Sequence, residues 1–409
     1  MLLNNLYKQI FLGVYFTGML SGIGHAADKI TFWDTPKYGG NSFNRLPPDN
    51  AYFKALHAYG ASWVRLSYDK WQPAQRDFLL GNADHYQGLD AQDLTTLIET
   101  LDRAQVIGLK VVITPLSLPG MRWSQNNGGN FDDRLWTDKV YWEQSAAFWH
   151  DLAKVLKSHK AVAAYNLINE PAPEKMGALA EHSSLFNMRS WYEQNKGSSR
   201  DLPAFYQMLI RAIRKVDPLT PIMVDGGWYG AADGFSYWPE ALPDQRVLYS
   251  FHMYEPYDFT SAPNIKRAKP YQYPGVVPFG QSEEMWNAQR VNTYMQQPFD
   301  WAKKNRIPAN RMVAGEFGCI RTLPGCRQYL EDVLKVMDDK QAHWAFYSFR
   351  EDSWDLMDYE LGKSKVPWSY WQAIDLKIRD TLQRNNGPEF EPISLRLRKN
   401  KTVLTQPTQ

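Results

Sequence analysis

The chain has 409 residues, 44% of them apolar, enough to bury a sizeable core, which excludes a disulfide-stapled miniprotein. Its 16 Trp, 23 Tyr and 19 Phe make up 14% of the sequence, a profile that intrinsically disordered chains lack. Basic residues number 46 against 44 acidic ones, a formal charge of +2, so no net field draws nucleic acid or anionic lipid, and a neutral partner is expected.

The first 26 residues read as an export signal. Lys8 is their one charged residue, an apolar run from Phe11 to Ile23 follows, and Gly24-His25-Ala26 ends in small residues suited to cleavage. That run is about 14 residues against the roughly 20 that cross a bilayer, so a cleaved leader is expected rather than an anchor. The mature protein is then expected to begin near Ala27, without a membrane span and in a secreted or periplasmic setting.

Short apolar runs suited to buried parallel strands follow at Ile30–Trp33, Trp63–Leu66, Val111–Thr114, Ala163–Ile168, Ile222–Val224, Val247–Phe251, Met312–Ala314 and Trp344–Phe349. Between them, apolar residues recur at helical spacing. Leu94, Leu97, Ile98, Leu101 and Ala104 share one face; Trp142, Ala146, Trp149, Leu152 and Leu156 share another. Phe205, Leu209, Ile213 and Val216 follow a Pro203 suited to a first helical turn, and Leu330, Val333, Leu334 and Met337 form a fourth stripe. Less regular helices are read at Tyr294–Lys304 and Tyr370–Ile378.

Eight alternating units predict an α/β fold of the (β/α)8 TIM-barrel type. Residues 27–385 are read as one domain with long βα-loop insertions at Pro173–Leu202 and Pro256–Gln289, and residues 386–409 as a C-terminal tail whose Arg396–Lys401 stretch is a solvated basic end. A doubly wound open sheet is the alternative, but its Gly-x-Gly-x-x-Ala match, Gly22 to Ala27, follows no strand. Cys319 and Cys326 fit neither a redox pair nor a zinc quartet. They are either two separate buried thiols or one disulfide, which over so short a loop stabilises by roughly 2.5 kcal/mol in the chain-entropy model.

In such a barrel, chemistry belongs at the C-terminal ends of the strands. Glu170 and Glu316 each follow an apolar strand core there, in Asn-Leu-Ile-Asn-Glu-Pro and Met-Val-Ala-Gly-Glu-Phe-Gly. A buried carboxylate is costly without a partner, and two facing each other across a barrel mouth can divide acid and nucleophile roles in glycosidic cleavage. Asn169-Glu170-Pro171, His252-Met253-Tyr254 and Gly315-Glu316-Phe317-Gly318, at the ends of the fourth, sixth and seventh strands, resemble glycoside hydrolase family 5, the former cellulase family A. The resemblance runs over nearly the whole chain, from about Ile30 to about Ile378.

It implies Glu170 as general acid/base, Glu316 as nucleophile, Asn169 as a partner of the sugar 2-hydroxyl, and retention of anomeric configuration. Arg65 and Tyr254 are expected to hold the Glu316 carboxylate, with His252 beside Glu170. No cofactor and no metal is implied, and the 8 histidines contain neither His-x-His nor His-Glu-x-x-His. Two positions depart from the family pattern. Leu116 stands where a His is expected after the third strand, and Tyr347 where a Trp platform is expected on the eighth.

Trp354, from the following loop, and Trp228, after the fifth strand, are the aromatic residues expected to carry a sugar. The sequence therefore reads as an exported, monomeric, retaining β-glycosidase of the endo-glycanase type acting on a neutral β-linked glucan or mannan. A catalytically silent carbohydrate-binding barrel, or an exo-acting or glycolipid-directed glycosidase, is the alternative.

Overall fold

The computed structural model describes residues 28–404 other than 178, 377–381, 383, 385 and 386; the export segment read at 1–26 and the end of the helix read at Tyr370–Ile378 lie outside them. Eight strands, β1 (Tyr38–Ser42), β2 (Trp63–Leu66), β3 (Lys110–Ile113), β4 (Val162–Asn166), β5 (Ile222–Asp225), β6 (Val247–Met253), β7 (Met312–Phe317) and β8 (His343–Phe346), pair in parallel in chain order. Tyr38 of β1 lies opposite Trp344 of β8, which closes the barrel. Helices Asn50–Tyr59, Ala91–Ile107, Val140–Leu156, Leu202–Arg214, Ala288–Lys304 and Cys326–Lys340 occupy the connections; the four apolar stripes mark the second, third, fourth and sixth, the less regular reading at Tyr294–Lys304 falls in the fifth, and Asn50–Tyr59 is not among the helices read from the sequence. Between β5 and β6 the described chain is helical only over Gly227–Gly230.

The first expected strand is not one. Ile30–Trp33 lies in a 3-10 turn, Lys29–Asp34, whose Ile30 amide donates to the Asp28 carboxylate at 3.3 Å. Trp33 is fully buried against Trp63, Val112, Met223 and Leu248 of the barrel interior, and its Nε1 donates to the Ala163 carbonyl at 3.2 Å. Four consecutive apolar residues suit a plug as well as a strand, and the open end of the barrel decides for the plug. The true β1 is Tyr-Gly-Gly-Asn-Ser, which reads as a turn. Its glycine is required by close approach, since a Cβ on Gly39 would stand 2.3 Å from the Trp63 carbonyl oxygen.

The tail, too, differs from expectation. Helix Glu391–Leu404 packs on β1 and on helices Asn50–Tyr59 and Cys326–Lys340, burying Phe390, Ile393 and Leu397 completely. Arg396 is no solvated end: it is buried and pairs with Glu331 at 2.9 Å and Asp338 at 2.7 Å. Gly60, at φ 103°, lets the chain pass under this helix, because a Cβ there would fall 2.2 Å from the Leu397 carbonyl oxygen.

The long insertions both build structure at the mouth end. After β4 come the turn Pro173–Gly177 and helix Leu185–Asn195; after β6 comes an antiparallel hairpin of Gly275–Phe279 and Ser282–Trp286. Cys319 and Cys326 are joined by a disulfide between the loop after β7 and the helix that follows it. No helix among the described residues is long and apolar enough to cross a membrane. Leu397→Asp, which buries a carboxylate where a methyl cluster packed, is expected to cost about 3 kcal/mol or more. Thermal unfolding reads this as a lowered midpoint; an unchanged midpoint would show the helix to be dispensable.

Candidate active site

At the centre of the barrel mouth stands Arg65, in the middle of β2 and fully buried. Its guanidinium is surrounded by acceptors from five other strands or strand ends. Nε donates to Asn166 Oδ1 at 2.8 Å, and one terminal nitrogen donates to Glu316 Oε1 at 2.5 Å and Asn41 Oδ1 at 3.3 Å. The other reaches Asn169 Oδ1 at 2.9 Å, Asp225 Oδ2 at 3.1 Å and Thr114 Oγ1 at 3.3 Å. Five fixed N–H groups thus meet side chains of β1, β4, β5 and β7 and of the residues just past β3 and β4.

Glu316 sits near the end of β7, opposite His252 of the neighbouring β6, just past the point where the register slips between Phe251 and His252. Gly315 allows that approach, for a Cβ there would lie 2.3 Å from Ser250 Oγ. Tyr254 donates its hydroxyl to Glu316 Oε2 at 2.8 Å, and burial together with the Glu316 charge holds this phenol well above its ordinary range, so it remains a donor. Burial also raises the Glu316 carboxyl above the usual carboxylate value, while His252, Arg65 and Tyr254 pull in the opposite direction and favour its ionised form.

Glu170 follows β4 in a left-handed conformation, φ 50°, uncommon for a side-chain-bearing residue and concentrated at functional sites. Two contacts hold it there: its amide donates to Asp225 Oδ2 at 3.2 Å, and Glu170 Oε1 lies 2.9 Å from His252 Nδ1. Burial works against a His252 cation, but Glu316, Asp225 and Glu170 outweigh it and raise the imidazole above its ordinary value. Glu170, His252 and Glu316 bring one polar atom each to within 4.8 Å of one another. A cation could be held by such a trio; here the guanidinium of Arg65 already faces Glu316, and Glu170 already engages the imidazole.

The described site therefore joins Arg65, Asn169, Glu170, His252, Tyr254 and Glu316 as the sequence predicts. The Cellulase model of glycosyl hydrolase family 5 matches residues 27–353. The chain belongs to glycosyl hydrolase family 5. Among solved family 5 folds, Thermotoga maritima Cel5A in complex with cellobiose aligns over 90% of this chain and 99% of its own at TM-score 0.58 and 15% identity. The Clostridioides difficile cellulose synthase subunit CcsZ aligns over 83% and 99% at TM-score 0.56 and 18% identity. At these identities the likeness is one of fold.

Curated relatives match in part. An endoglycoceramidase of Hydra vulgaris is 28% identical over 186 residues, 45% of this chain and 34% of the relative. A beta-xylosidase of Phanerodontia chrysosporium is 21% identical over 338 residues, 80% of this chain and 56% of the relative. The chain thus spans from about a third to little more than half the length of these two relatives.

The family 5 cleft has two lobes that share Leu116, Trp123, Asn169 and Glu170. The larger, of 520 Å³, holds Glu316, Tyr254, Tyr347 and Trp354. The other, of 430 Å³, lies past Glu170 and is lined by Met121, Phe131, Trp136, Met176 and Tyr229 together with the charged Arg122, Asp132, Asp133 and Lys175. Leu116, expected in the place of a family His, lines both lobes, and Trp354 lines the larger one.

Trp228 does not line either lobe. It is buried at 5% exposure, and its amide donates at 3.1 Å to Glu174, which turns the chain inward and leaves Tyr229 at the cleft. Asn41, Asn166, Lys70 and Glu351 also belong to the site, and none stands in a motif that announces it. A buried arginine inside a barrel needs acceptors on neighbouring strands, and this was the one signal available for Asn41 and Asn166.

Burial pushes Glu174 up to about 7, against the hydrogen bonds from Tyr237 and the Trp228 amide. A carboxyl whose folded pKa is raised stabilises the fold at acidic pH and loses that contribution as pH rises through the folded value. The thermal midpoint of the wild type is expected to fall by a few degrees between pH 5 and pH 8. Glu174→Gln flattens that fall, and an equal slope in both proteins would refute the assignment. At the centre of the site, Arg65→Lys leaves three donors where five were used, and is expected to lower kcat by about 100-fold or more.

Proposed function

We propose that this family 5 glycosidase cleaves β-linked glycans with retention of configuration, Glu316 acting as nucleophile and Glu170 as general acid/base. The close approach of the Glu170 and Glu316 oxygens, within 4.8 Å, carries this reading. Retaining enzymes hold their carboxyl groups about 5–5.5 Å apart, whereas inverting ones leave room for a water at roughly 6.5–9.5 Å.

In the first step Glu316 Oε2 or Oε1 attacks the anomeric carbon as Glu170 protonates the departing oxygen. Arg65 and Tyr254 steady the carboxylate before attack and release it as the glycosyl ester forms. Esterification removes the negative charge at Glu316, and Glu170 then takes a proton from water that attacks the same carbon. Asn169, held by Arg65 at 2.9 Å, presents its amide nitrogen toward Glu170 and the sugar 2-hydroxyl position.

A neutral glucan- or mannan-type chain fits the larger lobe, where Tyr347 and Trp354 offer flat apolar surfaces. Space on both sides of Glu170 supports endo action, and the acid, nucleophile and their supports in one place favour hydrolysis over silent binding. Export fits the leader-like residues 1–26 and the Cys319-Cys326 disulfide, which suits an oxidising compartment. Proton NMR of early products is expected to show the β-anomer first, and Glu316→Ala to reduce turnover by several orders of magnitude. Early α-anomer would overturn the two-step mechanism.

A second reading is favoured by the apolar lining of the lobe past Glu170. The leaving group departs on that side, and Met121, Phe131, Met176 and Tyr229 suit an alkyl chain, as in a glycolipid. Two relatives of this chain are named endoglycoceramidase. Relative kcat/KM on dodecyl β-cellobioside and on cellotetraose separates the two. A preference of tenfold or more for the dodecyl glycoside, reduced by Phe131→Ser, establishes the glycolipid reading; a preference for cellotetraose establishes the glycan one.

A further inference from the structure

We propose that Glu351 is a positioning residue that sets the aromatic platform of the larger lobe, with Lys70 as its counter-charge. The proposal rests on the reading of that lobe as the place of the sugar. Glu351 follows β8, its side chain is fully buried, and it accepts from four donors. One oxygen, Oε2, receives the Tyr347 hydroxyl at 2.5 Å and the Trp354 Nε1 at 2.8 Å. The other, Oε1, receives Lys70 Nζ at 2.6 Å and the Ser353 hydroxyl at 2.7 Å. All four donors line the same lobe, so the carboxylate organises the cleft wall rather than the distant core.

The geometry explains how the chain manages without a tryptophan at position 347. Tyr347 and Trp354 lie with ring centroids 6.3 Å apart and planes at 56°, their polar edges turned to one shared oxygen and their carbon faces left to the cleft. Trp354 comes from a loop, where an indole free to rotate would have to be ordered by the substrate itself. A side chain fixed in advance spares binding that ordering loss. Lys70 extends the arrangement: its ammonium also lies 3.1 Å from Ser353 Oγ and 5.2 Å from the centroid of the Trp123 ring. Three aromatic rings from two different loops and one strand end are thereby referred to one carboxylate.

A carboxylate is the group this place requires. Both of its oxygens face donors, and Trp354 Nε1 and Lys70 Nζ can only donate. A glutamine would turn an NH2 toward one of them, whichever way its amide is placed. Glu351 touches no reacting atom, so it acts through the rings.

The test is a mutant cycle on the full chain, with two probes. Activity is read as kcat and KM for 2,4-dinitrophenyl β-cellobioside, and binding as the calorimetric Kd of cellotriose and of mannotriose in a Glu316→Gln background. Glu351→Gln is expected to lower kcat/KM and weaken trisaccharide binding by about tenfold or more, mostly in KM and Kd. In a Tyr347→Phe/Trp354→Phe background, which lacks both polar edges, the same change is expected to cost less than twofold.

An equal factor in both backgrounds would mean that Glu351 contacts the sugar directly or acts through general stability, and would overturn the proposal. So would wild-type kinetics and binding in Glu351→Gln. Binding that follows the cycle without any hydrolysis would uphold the platform and refute the enzymatic reading. Failure to bind either trisaccharide would refute the platform itself.

Discussion

The two glutamates at the mouth of this barrel are placed around a guanidinium that water cannot reach. A buried cation is tolerated only when its charge and its donors are met, and Arg65 meets six acceptors drawn from around the ring of strands. The consequence is geometric. Because the five N–H directions of the guanidinium are rigid, each acceptor is fixed in angle as well as distance, and Glu316 and Asn169, the neighbour of Glu170, are located by the same group. Asp225 has a double duty in this scheme, accepting from Arg65 and from the strained amide of Glu170, so the conformation at φ 50° is tied to the cation by a single side chain.

The same charge balance separates the two glutamates. Glu316 is buried among a cation, a phenol that stays protonated and a nearby imidazole. Glu170 stands at the junction of the two lobes with its side chain 31% exposed, and only the imidazole grips its carboxylate closely. Identical side chains are thereby placed in different electrostatic surroundings. The raised His252, placed between the two, couples their charges: a proton on its ring favours the ionised state on both sides.

What the sequence disclosed followed from how directly a residue's role shows in its neighbours along the chain. Strands two to eight were legible because a strand covered on both faces is a continuous apolar run. β1 was not, because its Gly-Gly is demanded by the Trp63 backbone across the seam, a neighbour distant in sequence. Glu170 and Glu316 could be read from a strand core ending in a carboxylate. Asn41 and Asn166 could not, since their meaning is their distance from Arg65. Trp228 was misplaced for a related reason: its position after β5 suits a sugar platform, but Glu174, 54 residues earlier, captures its amide and draws the indole inward. Periodicity sees faces of elements; it does not see which loop reaches over to hold another.

Helix Glu391–Leu404 has a bearing on the order in which the molecule is assembled. It lies across the junction where the first strand meets the rest of the ring, on β1 and on the helices that follow β1 and β7. Segments far apart along the chain are thereby fastened to one another. A nascent chain can form its internal βα units as they emerge, but the ring gains its outer clasp only when helix Glu391–Leu404 is free to dock. Until then the seam between β1 and its neighbours lacks the apolar cover that Phe390, Ile393 and Leu397 give it.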